Sequence, residues 1–402
     1  GNLLFTRLDD TLIPCYEHAL PLKLLAIHIN RSTPKHVTRR STVLHQTGKT
    51  QNRRHRNLTL TFQRNLHDRY VVRNLTESNP ITRRLMSRLC GLLIMEAGNQ
   101  LFSEHLLIVL RVFAAGNRAM IKPSEFTEKT SLLTKELVEE YFTPDECAVF
   151  TGGPEVAAAF SELPFDHLVF TGSTATGRKV MEAASKNLVP VTLELGGKSP
   201  VFLGESADFA KAGERVALGK MMNAGQICLA PDYLYVPESK QDEAIHGVWQ
   251  GTANMYPTLL DNEDYASVVT DRHFDRLQEL VADARDKGAE VIEVNPGNED
   301  FSNTNARKMP LTILKNVNED MKAMQEEIFG PVLPVKTYKH IDEAIDYVNE
   351  HDRPLGLYYF GQDSDEREKV LTKTISGGVT VNDVIFHVSM EDLPFGGVGP
   401  SG

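Results

Sequence analysis

From about residue 91 onward, short apolar runs alternate with segments whose apolar residues recur at helical spacing. Strands that alternate with helices of this length are typical of βαβ units and a parallel sheet, so the pattern predicts an α/β fold. The predicted strands lie at 91–95, 118–122, 148–151, 166–171 and 191–195. The predicted helices are one that follows Ser103 and ends at Gly116, then 127–142, 156–162, 174–187, 274–287 and 342–349.

The first 90 residues do not share this pattern. They carry a net charge of +11 and two glycines, Gly1 and Gly48, whereas the remaining 312 residues carry a net charge of −22 and 26 glycines. Since an α/β domain needs glycine in its turns, we expect this basic head to be irregular. Three interpretations are open: a nucleic-acid-binding arm, a transit peptide, or a segment foreign to the following fold, for instance through a disturbed coding sequence. We favour the third and expect no nucleic-acid partner.

The composition excludes several classes of protein. With 41% apolar and 24% charged residues, the chain has an ordinary globular composition. Four cysteines in 402 residues do not make a disulfide scaffold, and they indicate a reducing compartment. The run from Leu106 to Ala115 is interrupted by Arg111 and is too short to cross a bilayer, and we find no secretory signal. The sequence therefore predicts a cytoplasmic protein without membrane contact.

Small and charged residues cluster at the carboxyl ends of three predicted strands, where open parallel sheets bind ligands. These segments are Lys122–Glu125, Thr171–Gly177 and Glu194–Gly197. Gly172 and Ser173 open a predicted helix, whose N-terminus suits a pyrophosphate. Lys122 and Glu125 could hold ribose hydroxyls, and a carboxylate there disfavours a 2′-phosphate, which favours NAD over NADP. Taken singly, each of these features also fits an ordinary turn.

Cys228 is the candidate for covalent chemistry. It lies among small and apolar residues, and a thiolate there becomes a nucleophile if a helix N-terminus or a neighbouring base favours it. The alternative is a buried, inert cysteine, which is our interpretation of Cys15, Cys90 and Cys147. No CxxC, HExxH or paired histidines accompany Cys228, so we expect no metal site. The G-x-S-x-G elbow of serine hydrolases is also missing.

Five short motifs stand in the same order as in the aldehyde dehydrogenases. They are Phe170–Ser173, Glu194–Lys198, Gly225–Cys228, Glu327–Pro331 and Pro394–Val398. The chain resembles that family over about 91–402, and Gln226–Tyr233 and Val379–His387 look most similar to its coniferyl aldehyde dehydrogenase branch, which resembles the class 3 enzymes. The resemblance implies a Rossmann-type parallel-sheet cofactor domain over 91–195, an α/β catalytic domain over 196–380 and a return segment over 381–402.

The same resemblance implies residue roles by position. Cys228 would be the nucleophile, and Glu194 would be the general base that activates the thiol or the hydrolytic water. Asn99 would donate to the developing oxyanion, although its neighbours lack the family's tryptophan and proline. The implied residues for NAD, with NADP as the other possibility, are Lys122 and Glu125 at the adenine ribose, Gly172 and Ser173 at the pyrophosphate, and Glu327 and Phe329 at the nicotinamide.

Two hypotheses about function follow from the resemblance. The first is an NAD(P)-dependent enzyme that oxidises an aromatic aldehyde, such as coniferaldehyde, to the acid through a cysteine thiohemiacetal and an acyl-enzyme. The second is a truncated, inactive relic that still binds the dinucleotide, because the head is unmatched and the chain stops at Gly402. The family is homo-oligomeric, and we expect this chain to lack the tail that forms the family's subunit interface.

Overall fold

The computed structural model of the protein describes residues 24–28, 109, 112–302, 306–390 and 393–402. The strands are β1 (Leu24–His28), β2 (Arg118–Lys122), β3 (Cys147–Val149), β4 (His167–Thr171), β5 (Val191–Glu194), β6 (Pro200–Leu203), β7 (Tyr233–Pro237), β8 (Glu290–Val294), β9 (Leu311–Lys315), β10 (Val332–Tyr338), β11 (Gly356–Phe360) and β12 (Gly378–Val381). The helices are α1 (Glu128–Tyr141), α2 (Pro154–Ser161), α3 (Thr174–Ser185), α4 (Phe209–Met221), α5 (Gln241–Met255), α6 (Asp271–Asp286), α7 (Lys322–Gln325), α8 (Ile341–Glu350) and α9 (Ser364–Lys373). Residues 109 and 112–114 are also helical.

The first sheet has five strands in the order β3-β2-β1-β4-β5. The β2–β3 and β4–β5 pairs are parallel, as predicted, whereas β1 is antiparallel to both of its neighbours. This strand comes from the basic head, where we expected irregular structure. A strand that enters from a distant part of the chain is not tied to the crossover connections that make βαβ strands parallel. The predicted strand at 91–95 lies outside the described residues.

The register of this sheet aligns three strand ends at one edge. Leu24 of β1 pairs with Lys122 of β2 on one side and with Phe170 of β4 on the other. Thr171, one residue further, pairs with Glu194 of β5. Because neighbouring strands are separated by about 4.8 Å, Lys122 and Phe170 are roughly 10 Å apart along this edge.

The second sheet has seven strands in the order β12-β11-β6-β7-β10-β9-β8. Its pairs are parallel except for β8, which runs antiparallel to β9. All five residues of β7 are buried, and alternate positions belong to different clusters. Leu234 and Val236 pack with α4 and α5, whereas Tyr233 and Tyr235 pack with α8. Burial on both faces explains why the strand is almost continuously apolar.

Close contact between two helices fixes the element that leads to Cys228. Helices α4 and α5 cross at glycines, and a Cβ on Gly213 would lie 2.5 Å from the backbone nitrogen of Val248. A Cβ on Gly251 would similarly lie 2.8 Å from the Cα of Glu214. The absence of side chains therefore allows near backbone contact, and α4 delivers the chain from this crossing directly into the segment that carries the cysteine.

Candidate active site

Lys122 and Glu125 meet at the end of β2. The Lys122 side chain is fully buried, and its Nζ donates to the carbonyl of Pro123 at 2.9 Å and to Oε2 of Glu125 at 3.3 Å. The intervening turn is closed by Ser124, whose Oγ accepts from the backbone N–H of Phe126. The structure thus brings together the two side chains predicted to contact a ribose.

Gly172 and Ser173 form the junction between β4 and α3. Ser173 is the N-cap of α3, and its Oγ accepts from the backbone N–H of Thr176 at 3.4 Å. The N–H of Gly172 donates to the carbonyl of Glu194 at 3.0 Å. A Cβ on Gly172 would lie 2.6 Å from the Phe170 ring, so the tight turn requires glycine there. The positive end of the α3 dipole therefore opens beside the end of β5.

The turn after Glu194 contacts the last residues of the chain. The N–H of Leu195 donates to the carbonyl of Ser401 at 3.2 Å. On the neighbouring helix, the hydroxyl of Thr174 donates to the carbonyl of Pro400 at 2.9 Å. Pro400 and Ser401 of the predicted return segment therefore contact both the N-terminus of α3 and the Glu194 turn.

The segment before Cys228 has an unusual backbone. Asn223 and Ala224 both have φ of +51°, in the left-handed region that non-glycine residues rarely adopt. The buried Gln226 amide fixes this shape, because Nε2 donates to the carbonyls of Asn223 and Ser267 at 3.0 and 3.1 Å. Its Oε1 accepts from the N–H of Val269 at 2.9 Å. One side chain thus ties the nucleophile segment to a different part of the chain.

Cys228 is half-buried, and the residue after it is held by a buried tyrosine. The Tyr358 hydroxyl donates to the carbonyl of Leu229 at 2.6 Å and accepts from the backbone N–H of Ile385. Burial, with the nearby Cys228, raises the pKa of Tyr358 well above its usual range, so the hydroxyl keeps its proton. By contrast, Cys147 is buried in β3, where desolvation raises the pKa of its thiol to about 12.

Glu327 and Phe329 lie in a loop that contacts both the Glu194 turn and the Cys228 segment. A Cβ on Gly196 would collide with the Glu327 carboxylate, which also accepts a hydrogen bond from the Gly197 N–H. A Cβ on Gly225, three residues before Cys228, would collide with the backbone of Gly330. Phe329, between them, has a left-handed φ of +49°. Glycine at these positions therefore lets the Glu327 carboxylate lie against the Glu194 turn, and lets the backbone of the Glu327 loop lie against the Cys228 segment.

Burial, and next the negative charge of Asp232, raise the pKa of Glu327 to about 8, against the Gly197 N–H, Lys198 and Arg276, which lower it. Lys220, fully buried on α4, belongs to the same group, because it interacts electrostatically with Asp232, Lys198 and Glu327. Desolvation lowers the pKa of Lys220 to about 8. A carboxyl and an amine with perturbed pKa values in one place are typical of a functional site.

The segments that carry Glu194, Cys228 and Glu327 thus converge on one region of the molecule. The predicted residues at the ends of β2 and β4 lie along the sheet edge that leads to it. Asn99 lies outside the described residues. Five further residues of this region were not predicted from the sequence as site residues: Gln226, Lys220, Asp232, Arg276 and Tyr358. A signal was available for Asp232, because a charged residue directly before the apolar strand Tyr233–Pro237 must find a partner when it is buried.

Within the described part of the chain, no group of three or more His, Cys, Asp or Glu side chains is placed to hold a metal ion. None of the helices in that part is long and apolar enough to span a bilayer.

Comparison with known proteins identifies the family. Residues 106–402 match the sequence model of the aldehyde dehydrogenase family. The chain belongs to this family. Among its relatives, a probable coniferyl aldehyde dehydrogenase of Caulobacter vibrioides is 60% identical over 291 residues, which cover 72% of this chain and 60% of the relative. The coniferyl aldehyde dehydrogenase of Pseudomonas sp. is 54% identical over the same shares of the two chains.

Solved aldehyde dehydrogenases share the fold. The substrate-bound state of Staphylococcus aureus AldH is 40% identical with a TM-score of 0.68, over 73% of this chain and 62% of that one. A betaine aldehyde dehydrogenase from S. aureus in complex with NAD+ is 28% identical with a TM-score of 0.59, over 66% and 55% of the two chains. This aldehyde dehydrogenase family member spans about 60% of the length of the coniferyl aldehyde dehydrogenases that it matches.

Proposed function

We propose that the chain oxidises an aldehyde to a carboxylic acid with NAD+ or NADP+, through a covalent intermediate on Cys228. The observation that carries the proposal is the convergence of the Glu194 turn, the Cys228 segment and the Glu327 loop. Gly196 lies against the Glu327 carboxylate, and Gly225 lies against the backbone of Gly330. The coniferyl aldehyde dehydrogenases among its relatives support an aromatic aldehyde as substrate, such as coniferaldehyde.

The residues at the sheet edge fit a dinucleotide. The buried Lys122 and its partner Glu125 offer a donor and an acceptor for ribose hydroxyls at the end of β2. About 10 Å along the same edge, the N-terminus of α3 at Ser173 offers the positive end of a helix dipole to a pyrophosphate. Glu327 and Phe329 would contact the nicotinamide end. We take NAD as the favoured cofactor, because the Glu125 carboxylate would repel a 2′-phosphate.

The proposed chemistry uses three side chains of the protein: Cys228, Asn99 and Glu194. The Cys228 sulfur attacks the aldehyde carbon and forms a thiohemiacetal, whose oxygen is stabilised by donors that include the proposed Asn99 amide. The dinucleotide, when bound, takes up the hydride that leaves this carbon. Glu194 then removes a proton from water, the water attacks the resulting thioester, and the carbon–sulfur bond breaks. The products are the acid, the reduced dinucleotide and a proton.

The experiment compares two cysteine variants of the full chain. We expect NADH to form from coniferaldehyde, and Cys228→Ala to lower the rate at least ~10³-fold because the nucleophile is lost. Cys147→Ala is the matched control, since Cys147 is buried in β3 and only 3% exposed. The rate of this variant should equal that of the parent. The carboxylic acid product is measured by chromatography alongside NADH.

Two outcomes would contradict the proposal. Unchanged turnover in Cys228→Ala would remove Cys228 from the mechanism. Binding of NAD+ by the parent chain without turnover of coniferaldehyde, benzaldehyde or an aliphatic aldehyde would support the inactive dinucleotide-binding protein instead.

A further inference from the structure

A buried ion pair joins three segments of the site. Lys198 follows the Glu194–Gly197 turn, and Asp232 lies four residues after Cys228. The Asp232 side chain is 3% exposed and that of Lys198 is 17% exposed. The ammonium donates directly to Oδ2 of the carboxylate. An ion pair enclosed to this degree loses much of its hydration, so it does not by itself stabilise the fold.

Both members of the pair also bind the backbone on either side of Glu327. Lys198 Nζ donates to the carbonyls of Ala323 at 2.7 Å and Glu326 at 3.1 Å. The other carboxylate oxygen of Asp232, Oδ1, accepts from the N–H of Ile328 at 2.9 Å. The residue before Glu327 and the residue after it are therefore each bound to one member of the pair.

The Asp232 backbone anchors this arrangement to the Glu194 side of the site. Its N–H donates to the carbonyl of Ser199 at 2.8 Å, one residue after Lys198. From the opposite side, the Arg276 guanidinium donates to the carbonyls of Glu327, at 3.2 Å, and Ile328. The Glu327 carboxylate itself lies against Gly196 and Gly197. The backbone on both sides of Glu327 is thus fixed by the pair and by Arg276, while the carboxylate itself is held at the Gly196–Gly197 turn.

We propose that Lys198 and Asp232 are positioning residues for Glu327: together they fix the loop that carries its carboxylate, and they place two opposite charges beside it. The proposal deepens the proposed function, because Glu327 is expected to contact the nicotinamide ribose. Its electrostatic part concerns the protein alone and is independent of any activity.

Four charged side chains face Glu327 from four different elements. They are Asp232 at the start of β7, Lys198 between β5 and β6, Arg276 on α6 and Lys220 on α4. Besides burial, Asp232 raises the pKa of Glu327, whereas Lys198 and Arg276 lower it. Removal of the charge on Asp232 should therefore lower this pKa, and removal of the charge on Lys198 should raise it. General loosening of the structure would expose Glu327 and lower its pKa in both variants.

The test is an infrared titration of the full chain without cofactor. The carboxyl band of Glu327 is identified as the difference between each protein and the same protein with Glu327→Gln. We expect the apparent pKa of this band to fall by roughly one pH unit in Asp232→Asn and to rise by about as much in Lys198→Met. Asp242→Asn is the matched control, since Asp242 pairs with Lys315 at 2.9 Å on the surface, and it should leave the band unchanged.

Conservative variants keep the test decisive if Lys198→Met does not fold. Asp232→Asn retains an oxygen that can accept from the Ile328 N–H, so the fold is kept, but it loses the charge and the charge-assisted bond to Lys198 that holds the loop firmly. Lys198→Arg retains the charge and should leave the pKa in place. A fall of the pKa in both Asp232→Asn and Lys198→Met, or no movement in Asp232→Asn, would overturn the proposal.

Binding of NAD+ supplies the second measurement. We expect the Kd for NAD+ to rise roughly 10-fold in Asp232→Asn, about the effect of one lost charge-assisted hydrogen bond, and Asp232→Glu to recover part of the loss. If the parent chain does not bind NAD+, the proposed function fails while the infrared result still decides the role of the pair. An unchanged Kd in Asp232→Asn, with binding intact in the parent, would contradict the positioning role.

Discussion

The two sheets build their parts of the site in different ways. At the edge of the five-stranded sheet, the side chains proposed to bind the cofactor make local contacts: Lys122 binds Glu125 three residues away, and Ser173 caps its own helix. In the seven-stranded sheet they are distant in sequence, since Gln226 binds residue 267 and Tyr358 binds residue 229. Local contacts place groups at a sheet edge that a ligand can reach. Long-range contacts fix a backbone shape around the reacting group.

The difference predicts where substitutions will act. A change in a local contact should alter affinity for the dinucleotide and little else, because few other residues depend on it. A change in a long-range contact should disturb the nucleophile segment and the stability of the whole domain together. The four experiments below test this division, beginning with the largest expected effect.

The parent protein should lose stability as pH rises, and Glu327→Gln should abolish this loss. Burial, and then the charge of Asp232, raise the pKa of Glu327 to about 8 in the folded protein. The unfolded chain releases this proton near the ordinary value for glutamate, so the native state binds the extra proton between about pH 4.5 and 8. The free energy of unfolding therefore falls as pH rises through this window, by up to about 1.4 kcal/mol per unit, and stays low above it.

Urea unfolding between pH 5 and 9 measures this effect. Glu327→Gln should lack the decline, so that its advantage over the parent grows toward pH 8. The neighbouring exposed residue provides the control variant, Glu326→Gln, which should keep the slope of the parent. An equal slope in Glu327→Gln and the parent would show that Glu327 is already ionised in the folded protein at low pH.

Tyr358→Phe should cost about 2 kcal/mol and also slow the reaction of Cys228. The substitution leaves the Leu229 carbonyl and the Ile385 N–H without their buried partner. Tyr338→Phe is matched to it, because the Tyr338 hydroxyl is also buried and donates to the carbonyl of Leu203 at 2.7 Å, away from the nucleophile. Both variants should lose similar stability in urea. Equal rates of Cys228 alkylation by iodoacetamide in the two variants would contradict the special role of Tyr358.

Ser173→Ala should lower stability by about 1 kcal/mol and weaken dinucleotide binding. It removes the N-cap of α3 at the expected pyrophosphate site. Asp208→Ala removes a comparable cap from α4, where Asp208 accepts from the Lys211 N–H at 3.2 Å. The two variants should be similarly destabilised in urea, and calorimetry should find weaker NAD+ binding in Ser173→Ala alone. The same affinity in both would exclude Ser173 from the cofactor site.

Glu125→Gln should have the smallest effect on the fold, less than about 1 kcal/mol. Lys122 is buried and Glu125 is partly exposed. The glutamine retains an oxygen that can accept from Lys122 Nζ, which also donates to the Pro123 carbonyl, so the buried ammonium keeps its hydrogen bonds. The ratio of NADP+ to NAD+ affinity should rise roughly 3-fold, because a charge that repels a 2′-phosphate is lost. Glu139→Gln breaks an exposed pair on α1 with Lys135 and should leave the ratio as it is. An unchanged ratio in Glu125→Gln would place the adenine ribose elsewhere.

Sequence reasoning succeeded where structure depends on neighbours in the chain. Apolar periodicity and the residues at helix starts predicted the strand Arg118–Lys122, the helix after Ser173 and a helix over 274–287. In the structure the last of these begins three residues earlier, at Asp271, and the α/β fold is confirmed. The antiparallel β1 was not predicted, because strand direction in a sheet depends on long-range connections. The contacts of Asp232 and Tyr358 were not predicted for the same reason, since their partners lie in segments that only folding brings near.

Four non-glycine residues with left-handed backbones lie in the segments around Cys228. Asn223 and Ala224 precede it, Phe329 lies next to Gly330, which approaches Gly225, and Ile385 binds the Tyr358 hydroxyl through its N–H. Each such residue costs of order 1–3 kcal/mol and persists because its surroundings enforce it. The geometry of the proposed active site therefore depends on main-chain torsions as much as on side chains. If the cysteine and its glutamate were placed on another scaffold, they would not keep this geometry unless the same turns were present.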